Sequence, residues 1–154
     1  MTPRLAIDPP LADFAGFAEW TVAERIRLYP AMVEKGFMAE PDAPRRIRTM
    51  QAIAAIWRAA AENGSVLWDG PPVRRDAIDM ELQATIDGSA QRIERDPDNR
   101  LLLDRHDALI AMQWWHRRYR DGPLYMHAVA LNVRADTIAD AITAEVARRE
   151  QEAA

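Results

Sequence analysis

From Asn99 to Arg120 the chain reads NRLLLDRHDALIAMQWWHRRYR, and this run commits the chain to helices. Leu102, Leu103, His106, Leu109, Ile110, Gln113 and Trp114 recur at three- and four-residue steps. That spacing gathers them near one face of a helix. A strand sends alternate side chains to opposite faces and would scatter them. Asp98 or Asn99 supplies an N-cap, and Asp121-Gly122-Pro123 stops the run. A helix this amphipathic needs partners for its apolar face, and the rest of the chain is read for them.

Two helices are expected upstream. The first opens at Thr21, where Thr21 and Glu24 have the spacing of a capping box. Val22, Ile26 and Val33 mark its face with Tyr29, Pro30 should kink or split it, and Gly36 suits its end. The second follows Glu40-Pro-Asp-Ala-Pro44, with Asp42 as N-cap and Pro44 in the first turn. Ile47, Met50, Ile53, Ala54 and Trp57 form its stripe, and Gly64 is its left-handed cap. The short connection predicts an antiparallel hairpin. Residues 1–20 carry Pro3, Pro9, Pro10 and Gly16 and read as an irregular arm, held to the body by Phe14, Phe17 and Trp20.

Residues 65–73, SVLWDGPPV, read as a loop and the best boundary between halves. Residues 74–98 fit two readings. Ile78, Leu82, Ile86 and Ile93 fall near one helical face, with a break near Gly88; Ile78, Met80, Leu82, Ala84 and Ile86 also alternate as in a short β-hairpin across 78–95. Helix-forming Glu, Leu, Gln, Met and Ala favour the first reading. Two shorter helices, 124–131 and 135–149, are expected after Gly122. The expected fold is mainly α. Residues 1–64 form an arm and helical hairpin, 65–98 a linking segment, and 99–154 a trihelical, helix-turn-helix-like unit.

Composition excludes several functions. The chain has no cysteine, so disulfides, thiolate catalysis and Cys-based zinc sites are out. Its net charge of −4 excludes a strongly basic nucleic-acid scaffold while leaving room for a local basic patch. The N-terminal residues hold no long apolar run and include Asp8 and Asp13, which argues against a signal peptide or a membrane span. The expectation is a cytoplasmic protein without a membrane partner. Catalytic patterns fail in turn. His106-Asp107 has no upstream histidine to complete a metal-dependent HD site, and His106, His116 and His127 lack the i, i+4 step of helical zinc motifs. Neither Ser65 nor Ser89 lies in a nucleophile elbow, and no phosphate-cradling glycine loop occurs. Asp96-Pro-Asp-Asn99 lacks the glycine and distal glutamate of a calcium loop. Asp76 with Asp79, and Asp104 with Asp107, read as solvated surface carboxylates. A non-enzyme with neither cofactor nor metal is expected.

One patch suits a binding role. WWHRRYR at 114–120 sets Arg117, Arg118 and Arg120 beside His116, two tryptophans and Tyr119. These could contact phosphates and stack on bases, although basic residues also favour a helix C-terminus for electrostatic reasons. Just beyond it, HAVALNVRADTIADAI is similar to the DNA-reading segment of helix-turn-helix regulators, including phage Cro-type repressors. Ala128 takes the small position of the first helix, Asn132 stands where glycine is usual, and Leu131, Val133, Ile138 and Ile142 close a small core. The resemblance implies docking of helix 135–149 on duplex DNA, with Arg134 and Thr137 facing bases or phosphates. The surrounding charge opposes this. Residues 121–154 hold Arg134, Arg148 and Arg149 against Asp121, Asp136, Asp140, Glu145, Glu150 and Glu152. Residues 27–57 further resemble a helical-hairpin segment of small phage and prophage proteins of unknown function, on Tyr29-Pro30, VEKG, Met38 and RRIRTMQAI. The leading expectation is a phage-type accessory or regulatory protein that binds duplex DNA. The alternative is a protein–protein interaction or assembly module whose C-terminal helices form a homodimer or partner interface.

Overall fold

The computed structural model describes residues 1–66, 68, 70 and 72–153, and the side chains of these apart from 128–141. In chain order the elements are α1 (Arg4–Ile7), α2 (Leu11–Glu34), α3 (Asp42–Ala61), α4 (Arg75–Arg95), α5 (Arg100–Arg118), a 3-10 turn (Gly122–Leu124) and α6 (Tyr125–Ala153). The described residues contain helices and no strand, which agrees with the mainly α expectation.

The N-terminal residues are not an irregular arm. Pro3 and Pro10 stand immediately before α1 and α2, where a missing N–H costs nothing. Because α2 begins at Leu11, Thr21 is an interior residue rather than a cap, and its hydroxyl donates to the Phe17 carbonyl at 2.9 Å. Pro30 lies inside α2 without ending it. The buried face is Phe14, Ala15, Ala18, Arg25 and Tyr29, while Ile26 is 54% exposed. In α3, Asp42 is the first helical residue and makes no cap bond to the backbone. Gly36 and Gly64 take φ values of 78° and 77° as expected of left-handed helix ends.

Side-chain pairs define how the helices run. Arg58 bonds Glu19, and Arg25 bonds the Arg46 carbonyl, so rising numbers in α2 meet falling numbers in α3. The expected antiparallel hairpin is present. Gln83 with Gln113 and Asp79 with Arg117 give α4 and α5 the same antiparallel relation.

The β-hairpin reading of 78–95 is wrong, and so is the break near Gly88. Ile78, Leu82 and Ile86 are buried one turn apart, whereas Met80 between them is 67% exposed. Only a helix separates those positions; a strand would put all on one face. The C-terminal trihelical unit also needs correcting. The two helices expected at 124–131 and 135–149 are one helix, α6, which begins at Tyr125 with Leu124 in the 3-10 turn before it, and no turn interrupts it at Asn132. Among the described residues, α5 packs chiefly on α4, the 3-10 turn and α1.

One apolar cluster holds the body together. It draws Phe14 from α2, Met50, Ile53 and Trp57 from α3, Leu82 from α4, and Leu109 and Met112 from α5. The Gly-Pro-Pro stretch therefore does not divide the core. Phe14 meets Trp57 edge-on at 5.4 Å. Ala15, Ala18 and Ala111 are essentially inaccessible, and their small side chains let the helices approach. The Trp115 indole donates to the Ala6 carbonyl at 3.0 Å and ties α1 to α5.

Candidate functional site

The basic end of α5 is built by α4. Arg75 of α4 donates to the carbonyls of His116 and Arg117 at 3.2 and 2.6 Å. It thereby satisfies helix-end acceptors that have no partner within α5. Asn99 caps the other end, accepting from the Leu102 N–H at 3.3 Å. His116 faces inward, with Nε2 accepting the Trp57 indole proton at 2.9 Å. Burial, reinforced by nearby Arg75, lowers its pKa to about 4, so the ring is neutral at pH 7. Gly122, with φ of 58°, lies so close that an added Cβ would stand 2.6 Å from this ring.

The proposed cationic residues differ in their surroundings, although Arg117 and Arg120 line one open hollow. Arg117 is clamped by Asp79, with Nε to Oδ1 at 2.6 Å, and also reaches Gln83. That pair raises the Arg117 pKa, chiefly through its hydrogen bond to Asp79. Arg118 and Arg120 are exposed and make no ion pair among the described residues. Arg120 borders an open hollow shared with Arg74, Arg75 and Arg117 and with Asp76, Asp79 and Asp121, so carboxylates offset most of its positive charge. The side chains of Arg134 and Thr137 lie outside the described residues. The expected base stackers are engaged elsewhere: Trp115 is buried, and Tyr119 stacks on Tyr125 with centroids 3.9 Å apart. His106 keeps a buried Nδ1 that has no partner among the described residues.

The root of α6 is anchored. Met126 packs on the core, and a His127 ring nitrogen lies 2.8 Å from the Ala60 carbonyl, beside Gly64. Its far end differs. Ile142 and Val146 are 60% and 50% exposed and stand one turn apart. Next to them Glu145 pairs with Arg148 and Arg149, and Arg148 pairs with Glu152. These bonds lower the Glu145 pKa, that to Arg148 most of all.

A second polar centre escapes a linear reading of the chain. Arg25 of α2 and Arg46 of α3 converge on Glu81 of α4, all within the body. Arg25 also donates to the Thr85 hydroxyl at 2.9 Å. Both guanidinium groups lie over the Tyr29 ring, at 5.6 and 5.9 Å from its centroid. The available signal was Arg25 itself, which shares the helical register of Phe14, Ala18 and Tyr29. A lone cation in an otherwise apolar register announces a buried partner.

Comparison with known proteins brings no match, whether to a family model, a curated protein or a solved structure. Among the described residues, no helix is long and apolar enough to cross a membrane.

Proposed function

We propose that the chain is a non-enzymatic assembly module that pairs with a second copy of itself through the distal half of α6. The observation carrying this reading is the exposed Ile142 and Val146 pair on a 29-residue helix anchored at its other end. A helix of that length spans about 43 Å, enough to reach well beyond its anchor. Large apolar side chains one turn apart are the contact unit of paired helices. Charge favours a protein partner over a polyanion: Glu145, Glu150 and Glu152 outnumber Arg148 and Arg149 here. It also favours self-pairing. An antiparallel crossing near Val146 would set Glu145 of one copy beside the Arg148-Arg149 turn of the other, as a two-fold interface requires.

Light scattering tests this. The wild type should run at twice the 17.5 kDa chain mass. Ile142→Glu with Val146→Glu should run as a monomer with unchanged helical circular dichroism. A monomeric wild type at high micromolar concentration would overturn the pairing. So would a shift of duplex DNA at low salt that vanishes when Arg118 and Arg120 become alanine, which would favour nucleic-acid contact.

A further inference from the structure

Beside the Arg25–Glu81–Arg46 centre, a cleft of about 380 Å³ opens between α2, α4 and α5. Small-ligand sites occupy roughly 300–1,000 Å³, so it is large enough for a short organic molecule. Its walls are of two kinds. Phe17, Leu28, Met32, Met38, Leu102 and Leu109 supply apolar surface. Its charged and phenolic lining is Arg25, Arg46, Tyr29, Arg92 and Arg105, with Glu24 the one carboxylate among its lining residues, and that carboxylate is bonded to Arg27.

The polar end is charged and incompletely satisfied. Two guanidinium groups share one carboxylate, Glu81, which leaves one positive charge in excess. Arg46 reaches Glu81 through Nε and Nη2, while its Nη1 makes no hydrogen bond among the described residues. The Tyr29 hydroxyl likewise makes no hydrogen bond among the described residues, and it stays open to solvent at the cleft wall while the ring is buried. Burial is the main cause holding its pKa above the usual phenol value, so it remains a proton donor near neutral pH. A guanidinium N–H, a phenol O–H and one surplus positive charge, set at the head of an apolar cleft, match a carboxylate carrying a hydrocarbon tail.

We propose that this cleft binds an amphipathic monoanion, a medium-chain carboxylate, with its head on Arg46 and Tyr29 and its tail along Leu28, Met32 and Met38. The test titrates decanoate into the full chain by isothermal calorimetry, with acetate and 1-decanol as head-only and tail-only probes. Decanoate should bind with one-to-one stoichiometry, and both other probes at least about tenfold more weakly. Leu28→Glu places a like charge at the rim of the cleft, where Leu28 is 43% exposed and tolerant of change. It should weaken decanoate about tenfold or more. Met80→Glu, at an exposed site outside the cleft, should not. No heat with decanoate below its micellar range would overturn the site. Decanol binding as tightly as decanoate, or equal decanoate affinity in Leu28→Glu and Met80→Glu, would overturn it as well.

Discussion

His116 accepts a hydrogen bond from Trp57 while carrying no charge of its own, and its burial couples folding to acidity. Its folded pKa of about 4 lies well below the ordinary histidine value of 6.5. Between these values the unfolded chain binds a proton that the folded chain refuses. Stability should therefore be lost as pH falls from 6.5 towards 4, by about 3 kcal/mol from this residue, with no further loss below. Urea midpoints across that window check it: His116→Gln should show a flatter slope than the wild type, and equal slopes would refute the neutral buried ring. A second prediction concerns Glu81. Its neutral Gln variant leaves Arg25 and Arg46 facing each other in the interior, which should cost about 3–5 kcal/mol in urea denaturation. Neither role was readable from the chain. In WWHRRYR, His116 sits among exposed arginines, and only its tertiary contact with Trp57, fifty-nine positions away, turns it inward. Trp57, by contrast, stood in a clear apolar stripe and is fully buried.

At the level of elements, periodicity served where it was long and failed where it was short or punctuated. The stripe of α3 placed both the helix and its buried face, whereas in α5 it placed the helix but not the face: of the expected residues only Leu109 and Gln113 are buried, and Ala108, Ala111, Met112 and Trp115 face the core instead. Glycine and proline misled. Pro30 does not split α2 and Gly88 does not break α4, where packing outweighs a local propensity deficit of about 1 kcal/mol for glycine. Gly88 has open space where a Cβ would stand and no left-handed φ. Gly88→Ala should thus stabilise α4 by about 0.5–1 kcal/mol and raise the melting temperature by roughly 1–4 °C. A drop in a calorimetric scan would mean that the backbone there needs glycine. The two-helix reading of α6 failed for a related reason. Asn132 can take a left-handed turn, but nothing in its neighbours compels one, and Ala, Leu and Arg around it favour continuing the helix.

For the whole molecule, the shared core makes a prediction about cooperativity. The apolar cluster takes residues from both sides of the Gly-Pro-Pro stretch. Tryptophan fluorescence and far-ultraviolet circular dichroism should therefore report one coincident unfolding transition. Two separated transitions would show that the halves fold independently, as the linker-like composition of residues 65–73 first suggested. The Arg25–Glu81–Arg46 centre bears on the order in which the body assembles. During synthesis, α2 and α3 are complete before Glu81 has been added to the chain. Until α4 arrives, their hairpin holds two like charges on its inner face and gains little by closing over them. Helix α4 thus acts as the clasp, because it brings the carboxylate that lets the two guanidinium groups be enclosed.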